Sequence, residues 1–295
     1  MMIQNIRMPA QIITLFAIFG ILASFAKTSV ATEAVAMITD ITGKASITTN
    51  GEQKPCEILM STSSGDELHL EANSKLTLVY FKSAKEYTFL EKSVIKITPE
   101  APEVKSGSKA TIRDLQIAKE ANLLPINEYS QAAIVFRGAR KKPKIKLIYP
   151  VNSTILDPLV IFEWLPIEKV LQYRYILTDG SGRTVIETLV NGTSFKLPDE
   201  NNIEEGVAYS WQVEARLSTG AVYSNSSSFS LIDKAELERI NRLRPKDGAT
   251  FSERIVFATL LEQLGLRDEA RIYWKVLSFE RPENKLLTKK ASELR

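Results

Sequence analysis

Between Pro158 and Arg216 the large apolar side chains fall on alternate residues in three separate runs. The first is Val160, Phe162 and Trp164, the second Tyr173, Tyr175 and Leu177, and the third Tyr209, Trp211, Val213 and Ala215. A period of two is the mark of a strand with one buried face. The runs are separated by turn chemistry: Asp157 with Pro158, the DGSG segment Asp179 to Gly182, and Thr219 with Gly220. Pro158 and Pro166 flank Trp164, which suits strand ends, where a missing N–H costs no ladder bond. A large indole on such a strand reads as the core residue of a β-sandwich.

The same rhythm appears nearer the start. The stretch VAMITDITGKASITTNGEQ alternates on either side of Gly43 and ends at Asn50 and Gly51, a hairpin-type turn. In KLTLVYFKSAKEYTFLEKSVIKITPE, Leu76, Leu78 and Tyr80 face one way. Short strands at regular spacing predict a first all-β module. After it, a helix-like piece runs from Arg113 to Leu123 and stops at Pro125, and Ala132 to Phe136 reads as a strand.

Past Asp233 the period changes. Ala235, Leu237, Ile240 and Leu243 share one helical face, and FSERIVFATLLEQLGLRDEARIYWKVLSFERPEN continues as a helical pair turning at Gly265. A helix is also expected from Asn284 to Leu294. The expected fold class is therefore mainly β and multidomain, with an N-terminal β module, a central β-sandwich and a small C-terminal helical hairpin unit. The expected divisions are a signal peptide at 1–31, a β domain at 32–108, a bridging region at 109–146, the sandwich at 147–232 and the helical unit at 233–295.

Export follows from the first residues. Arg7 is the only charged side chain before Lys27, and Ile12 to Phe25 is uninterrupted by charge. That run would rise only about 21 Å as a helix, against a hydrocarbon core of about 30 Å, which favours a secretory signal over a span. Ser29 and Ala31 supply small residues for cleavage before Thr32. Removing residues 1–31 takes two of the 38 basic residues and none of the 35 acidic ones, leaving 36 against 35. Near-neutrality argues against a nucleic-acid partner. Cys56 is the single cysteine, so the folded part has no intramolecular disulfide even in an oxidising compartment.

Three resemblances rest on these residues. Gly43, Gly65, Asp66, Leu68, Leu76, Leu78, Leu90, Ser93, Ile95 and Ile97 fall in the pattern of FecR-like periplasmic domains, so the first module resembles that family over about 65 residues. The resemblance implies a sensing or docking platform in a bacterial envelope. Signalling members carry a cytoplasmic segment that touches a sigma factor; about eleven residues precede the apolar run here, so only the exported half of the role is expected. Residues 150–231 resemble an immunoglobulin-like or fibronectin type III sandwich. Ala258, Leu261, Gly265, Ala270, Trp274, Leu277 and Pro282 occupy the small, large, turn, small, aromatic, apolar and terminating positions of a tetratricopeptide hairpin. One such hairpin cannot bury its face alone. The helices on either side, or a partner, must complete it.

The chemistry points away from catalysis. His69, the only histidine, lies within the strand-like ELHL, with no nucleophile elbow, and Gly180-Ser181-Gly182 reads as a turn. No catalytic residue, cofactor or metal site is expected. Arg137, Arg140, Lys141, Lys142, Lys144 and Lys146 form a basic stretch without an acid, read either as a solvated linker or as a contact for an anionic envelope polymer or membrane surface. Trp274 is expected to pack between paired helices or to meet a partner, and its loss is expected to leave the β modules untouched. The expected role is a non-enzymatic, periplasmic or otherwise extracytoplasmic envelope protein that binds a protein partner. The alternatives are a polymer binder using residues 137–146 and, last, a carbohydrate-active enzyme.

Overall fold

A computed structural model of the chain describes residues 33–121, 144–198 and 203–293. The apolar run, Ala132 to Phe136 and Arg137 to Lys142 lie outside the described residues. Ten strands form the first module: β1 (Ala34–Thr42), β2 (Ala45–Thr49), β3 (Glu52–Pro55), β4 (Ser61–Ser63), β5 (Glu67–Leu70), β6 (Lys75–Tyr80), β7 (Lys85–Leu90), β8 (Ser93–Ile97), β9 (Pro102–Ser106) and β10 (Thr111–Asp114). They make two five-stranded antiparallel sheets, ordered β10-β7-β6-β1-β4 and β3-β2-β5-β8-β9. The β2–β3 hairpin closes at Asn50 and Gly51, both at positive φ, and pairs Thr49 with Glu52. Leu76, Leu78 and Tyr80 point between the sheets, where Ile38, Phe89, Leu68 and Ile95 complete the core.

The first sheet is buried on its other face as well. Ala36 through Asp40 are all buried, so β1 is a central layer rather than a half-exposed strand. Met37 and Val79 belong to the helical core instead of the sandwich core. A register shift between Ile38 and Asp40 makes Thr39 a bulge residue; its Oγ1 lies 2.9 Å from Ser252 Oγ. Burying Met37 and Val79 under the helices is worth about 1.5–3 kcal/mol each.

Thr111 to Asp114 pairs with β7 as β10, and the helix expected from Arg113 begins only at Gln116, as α1 (Gln116–Ala121). Thr111 and Ile112 favour a strand, and Arg113 pairs with Glu86 on that neighbour.

The second module contains β11 (Leu147–Tyr149), β12 (Ser153–Ile155), β13 (Ile161–Trp164), β14 (Gln172–Asp179), β15 (Thr184–Asn191), β16 (Ser194–Lys196), β17 (Ala208–Arg216) and β18 (Val222–Leu231). A three-stranded sheet, β11-β13-β16, packs on a five-stranded sheet, β12-β18-β17-β14-β15. Phe162, Trp164, Tyr173, Tyr175 and Trp211 meet in its core, with Phe162 5.1 Å from Tyr175 and 5.2 Å from Trp211 between ring centroids. Trp211 Nε1 donates to the Pro150 carbonyl at 2.8 Å.

Four helices follow: α2 (Lys234–Leu243), α3 (Phe251–Gln263), α4 (Arg267–Glu280) and α5 (Lys285–Glu293). Asp233 caps α2, and Thr250 with Glu253 forms a capping box at α3. Arg113 Nη2 also donates to Thr250 Oγ1 at 2.9 Å, tying β10 to that cap. Helix α3 buries residues on all sides, including Phe251, Ile255, Val256, Phe257 and Leu260, because it lies between the first sheet and α4. The hairpin's face is thus covered by a β-sheet as well as by α1, α2 and α5.

The hairpin turn also reaches the second sandwich. Thr154 N donates to Gly265 O at 2.8 Å, and Thr154 Oγ1 to Leu264 O at 2.9 Å. Gly265 has φ +76°, and a Cβ there would stand 2.8 Å from Thr154 Oγ1, so only glycine fits this turn against β12. Among the described residues the fold is mainly β, with four sheets and a C-terminal helical region, and those from Ala34 onward form one compact unit.

Candidate protein-docking face

Helix α4 carries apolar residues on two faces. Ala270, Trp274 and Leu277 point inward and are fully buried. Trp274 Nε1 donates to Glu262 Oε1 at 3.0 Å; Lys290 Nζ reaches Glu262 Oε2 at 2.6 Å and lies 5.8 Å from the indole centroid. Trp274 is therefore locked between α3, α4 and α5. A partner cannot reach it without opening the core.

The outward face of α4 carries Ile272, Val276 and Phe279, exposed by 57%, 46% and 82%. Their spacing of i, i+4 and i+7 lines them up along one side of the helix. Helix α4 is tied to its neighbours near both ends, to α3 through Glu280 and to β12 through Asp268 and Ser153. Arg254 of α3 pairs with Glu280, and Asp268 pairs with Arg271 at 3.4 Å. Burial pushes the Asp268 carboxyl up, opposed by the Arg271 and Arg267 charges and a hydrogen bond with Ser153. The tetratricopeptide register predicts the inward Trp274 and gives Ile272, Val276 and Phe279 no role. The signal available to find them was that α4 has more apolar residues than one buried stripe uses.

A groove opens elsewhere, where β1 and the β2–β3 hairpin approach the start of α5. Two cavities of 360 and 760 Å³ share Ile41, Gly43 and Cys56 as a waist. Glu283, Asn284 and Lys285 line one end, and Lys44, Lys54 and Glu71 the other. Burial pushes the Cys56 thiol up to about 12, with Lys54 opposing it, so the sulfur is a protonated lining atom at neutral pH and no nucleophile. Iodoacetamide alkylation of the folded chain should keep accelerating past about pH 10, whereas an ordinary thiol levels off near its value of about 8.5. A plateau by about pH 9 would put the thiol in water and contradict the burial.

Among the basic residues, Lys144 and Lys146 are exposed beside β11, with Ile145 buried between them. Arg137, Arg140, Lys141 and Lys142 lie outside the described residues. His69 sits on β5, 3.0 Å from Glu67. Among the described residues no group of three or more His, Cys, Asp or Glu side chains could hold a metal ion. No described helix is long and apolar enough to cross a membrane.

No protein-family model matches this sequence, and no curated protein matches it. Among solved structures the chain is similar to the crystal structure of CopC from Methylosinus trichosporium OB3b. The identity is 13%, over 30% of this chain and 93% of that chain, with a TM-score of 0.24. A likeness of that size carries no functional weight.

Proposed function

We propose that the chain is a non-enzymatic, exported envelope protein that works as a sensing or scaffolding module by binding another protein. The observation that supports this best is the Ile272, Val276 and Phe279 stripe on α4, an exposed apolar row with charged neighbours on a rigid helix. Rows of this kind suit an amphipathic helix of a partner, which would lay its own apolar face along α4. The FecR-like first module, in this reading, is the platform on which α3 carries α4, and its contact with α3 would connect a signal at the first module to the docking face.

Replacing Phe279 by Glu should abolish capture of the protein partner from crosslinked envelopes while leaving the unfolding midpoint nearly unchanged, because the ring has little packing to lose. Mass spectrometry of the crosslinked material reads the first quantity and urea denaturation the second. Capture that survives Phe279→Glu, Val276→Glu and Ile272→Glu would overturn the reading. Binding of sacculi or anionic vesicles that disappears with added salt would instead favour the basic stretch at residues 137–146.

A further inference from the structure

Sheet edges expose unpaired N–H and C=O groups, and folded proteins blunt them with short strands, Lys, Pro or a cover. Seven of the eight edges among the described residues are short, covered, or carry Lys, Arg or Pro. β3 ends in Lys54 and Pro55, and β9 opens on Pro102 and carries Lys105. β10 has four residues and Arg113, whereas β4, β11 and β16 have three residues each. β12 also has three, and the Gly265 turn covers it.

The eighth edge is β15, eight residues long, TVIETLVN, with no Lys, Pro or Gly; a bulge at Val185 disturbs its start, where Leu177 pairs with Ile186 and Thr178 with Thr184, and from Ile186 to Asn191 no described strand pairs on its outer side. Beside it stand two of the most exposed leucines, Leu189 at 62% and, opposite its far end, Leu171 at 85%. We propose that β15 is a homotypic edge: two copies of this chain pair antiparallel through it, joining their five-stranded sheets across a two-fold axis. This surface is separate from the α4 stripe and does not depend on the reading of that stripe.

The sequence of β15 is self-complementary in one register. Ile186, Thr188 and Val190 lie opposite Leu177, Tyr175 and Tyr173, so they share the core side of the sheet, and Glu187 and Leu189 share the outer side. A two-fold axis at Thr188 sets threonine across from threonine and Ile186 across from Val190 of the second copy, both favourable cross-strand pairs. Glu187 then faces Leu189 of the second copy, in the same row as the second copy's Arg174, which is the ladder neighbour of Leu189. A two-fold at Glu187 would set two carboxylates face to face and is disfavoured. One strand edge buries less than the roughly 1,200 Å² of a permanent interface, so the dimer should be reversible and concentration-dependent.

Sedimentation velocity on the chain isolated from cells, over a concentration series, tests this. The wild type should pass from monomer to dimer. Leu189→Glu opposes Glu187 of the second copy and should weaken association by about tenfold or more, whereas Leu189→Lys meets that same carboxylate with opposite charge and should keep or tighten it. Both variants remove the same exposed leucine, so simple hydrophobic stickiness would be lost in both. Leu189 is on the surface, and matched thermal melts check that both variants fold. A wild type that stays monomeric throughout, or variants that behave alike, would overturn the proposal.

Discussion

Trp274→Ala should lower stability by about 3–5 kcal/mol, the usual range for removing a fully buried aromatic, and the first β module should unfold in the same transition. The indole has no exposed surface, so its loss leaves a cavity between α3, α4 and α5. It also strips Glu262 of its indole donor, leaving Lys290 as that carboxylate's partner. The cooperativity follows from the shared core. Met37 of β1 and Val79 of β6 pack into the same cluster as Trp274 and Leu277, so loosening the hairpin uncovers one face of the first sheet. This differs from the independence that a linker-separated helical unit would show. Limited proteolysis of the variant should release cuts between β1 and β10 as well as after Leu231. Cuts confined to the helices would show that the first sheet stands without its helical cover.

The strands were legible because their cause is local. Alternation put Trp164, Tyr173, Tyr175 and Trp211 in a sandwich core, and Asn50 with Gly51 set a hairpin, with no need for distant information. The helical period after Asp233 and the turn at Gly265 were readable for the same reason. The double burial of β1 was not. Thr39 and Asp40 look like solvent-side residues until Ser252 and Arg281, more than two hundred residues away, supply their partners. Strand β10 was hidden because an isolated TIRD segment carries no period, and its pairing with β7 decides its state. On α4 the repeat register accounted for the packed face alone. Phe279 stands out only once the helix has a side that nothing covers.

Asp40 carries the second large effect. The bulge at Thr39 turns its carboxylate toward the helices, where it is 2% exposed and accepts from Lys75 Nζ at 3.0 Å and from Arg281 Nη2 at 3.1 and 3.3 Å. Arg281 closes α4, and its guanidinium lies 4.5 Å over the Phe251 ring, so two ion pairs on one carboxylate, with that ring contact, join β1, β6, α3 and the end of α4. Lys75 is 40% exposed and can turn to water if the carboxylate is lost. Arg281 is worse placed, since its Nε is already buried without a hydrogen-bond partner. Asp40→Ala should therefore cost about 3 kcal/mol, the lower end of the range for removing one member of a buried pair, because Arg281 keeps some contact with solvent. Asp40→Leu combined with Arg281→Met should recover most of that loss, since the double change removes the stranded charge along with its partner. Urea denaturation of Asp40→Leu, Arg281→Met and the double variant closes the cycle. A loss below about 0.5 kcal/mol for Asp40→Ala would make this a surface-type pair and leave apolar packing as the sole tie between the hairpin and the first sheet.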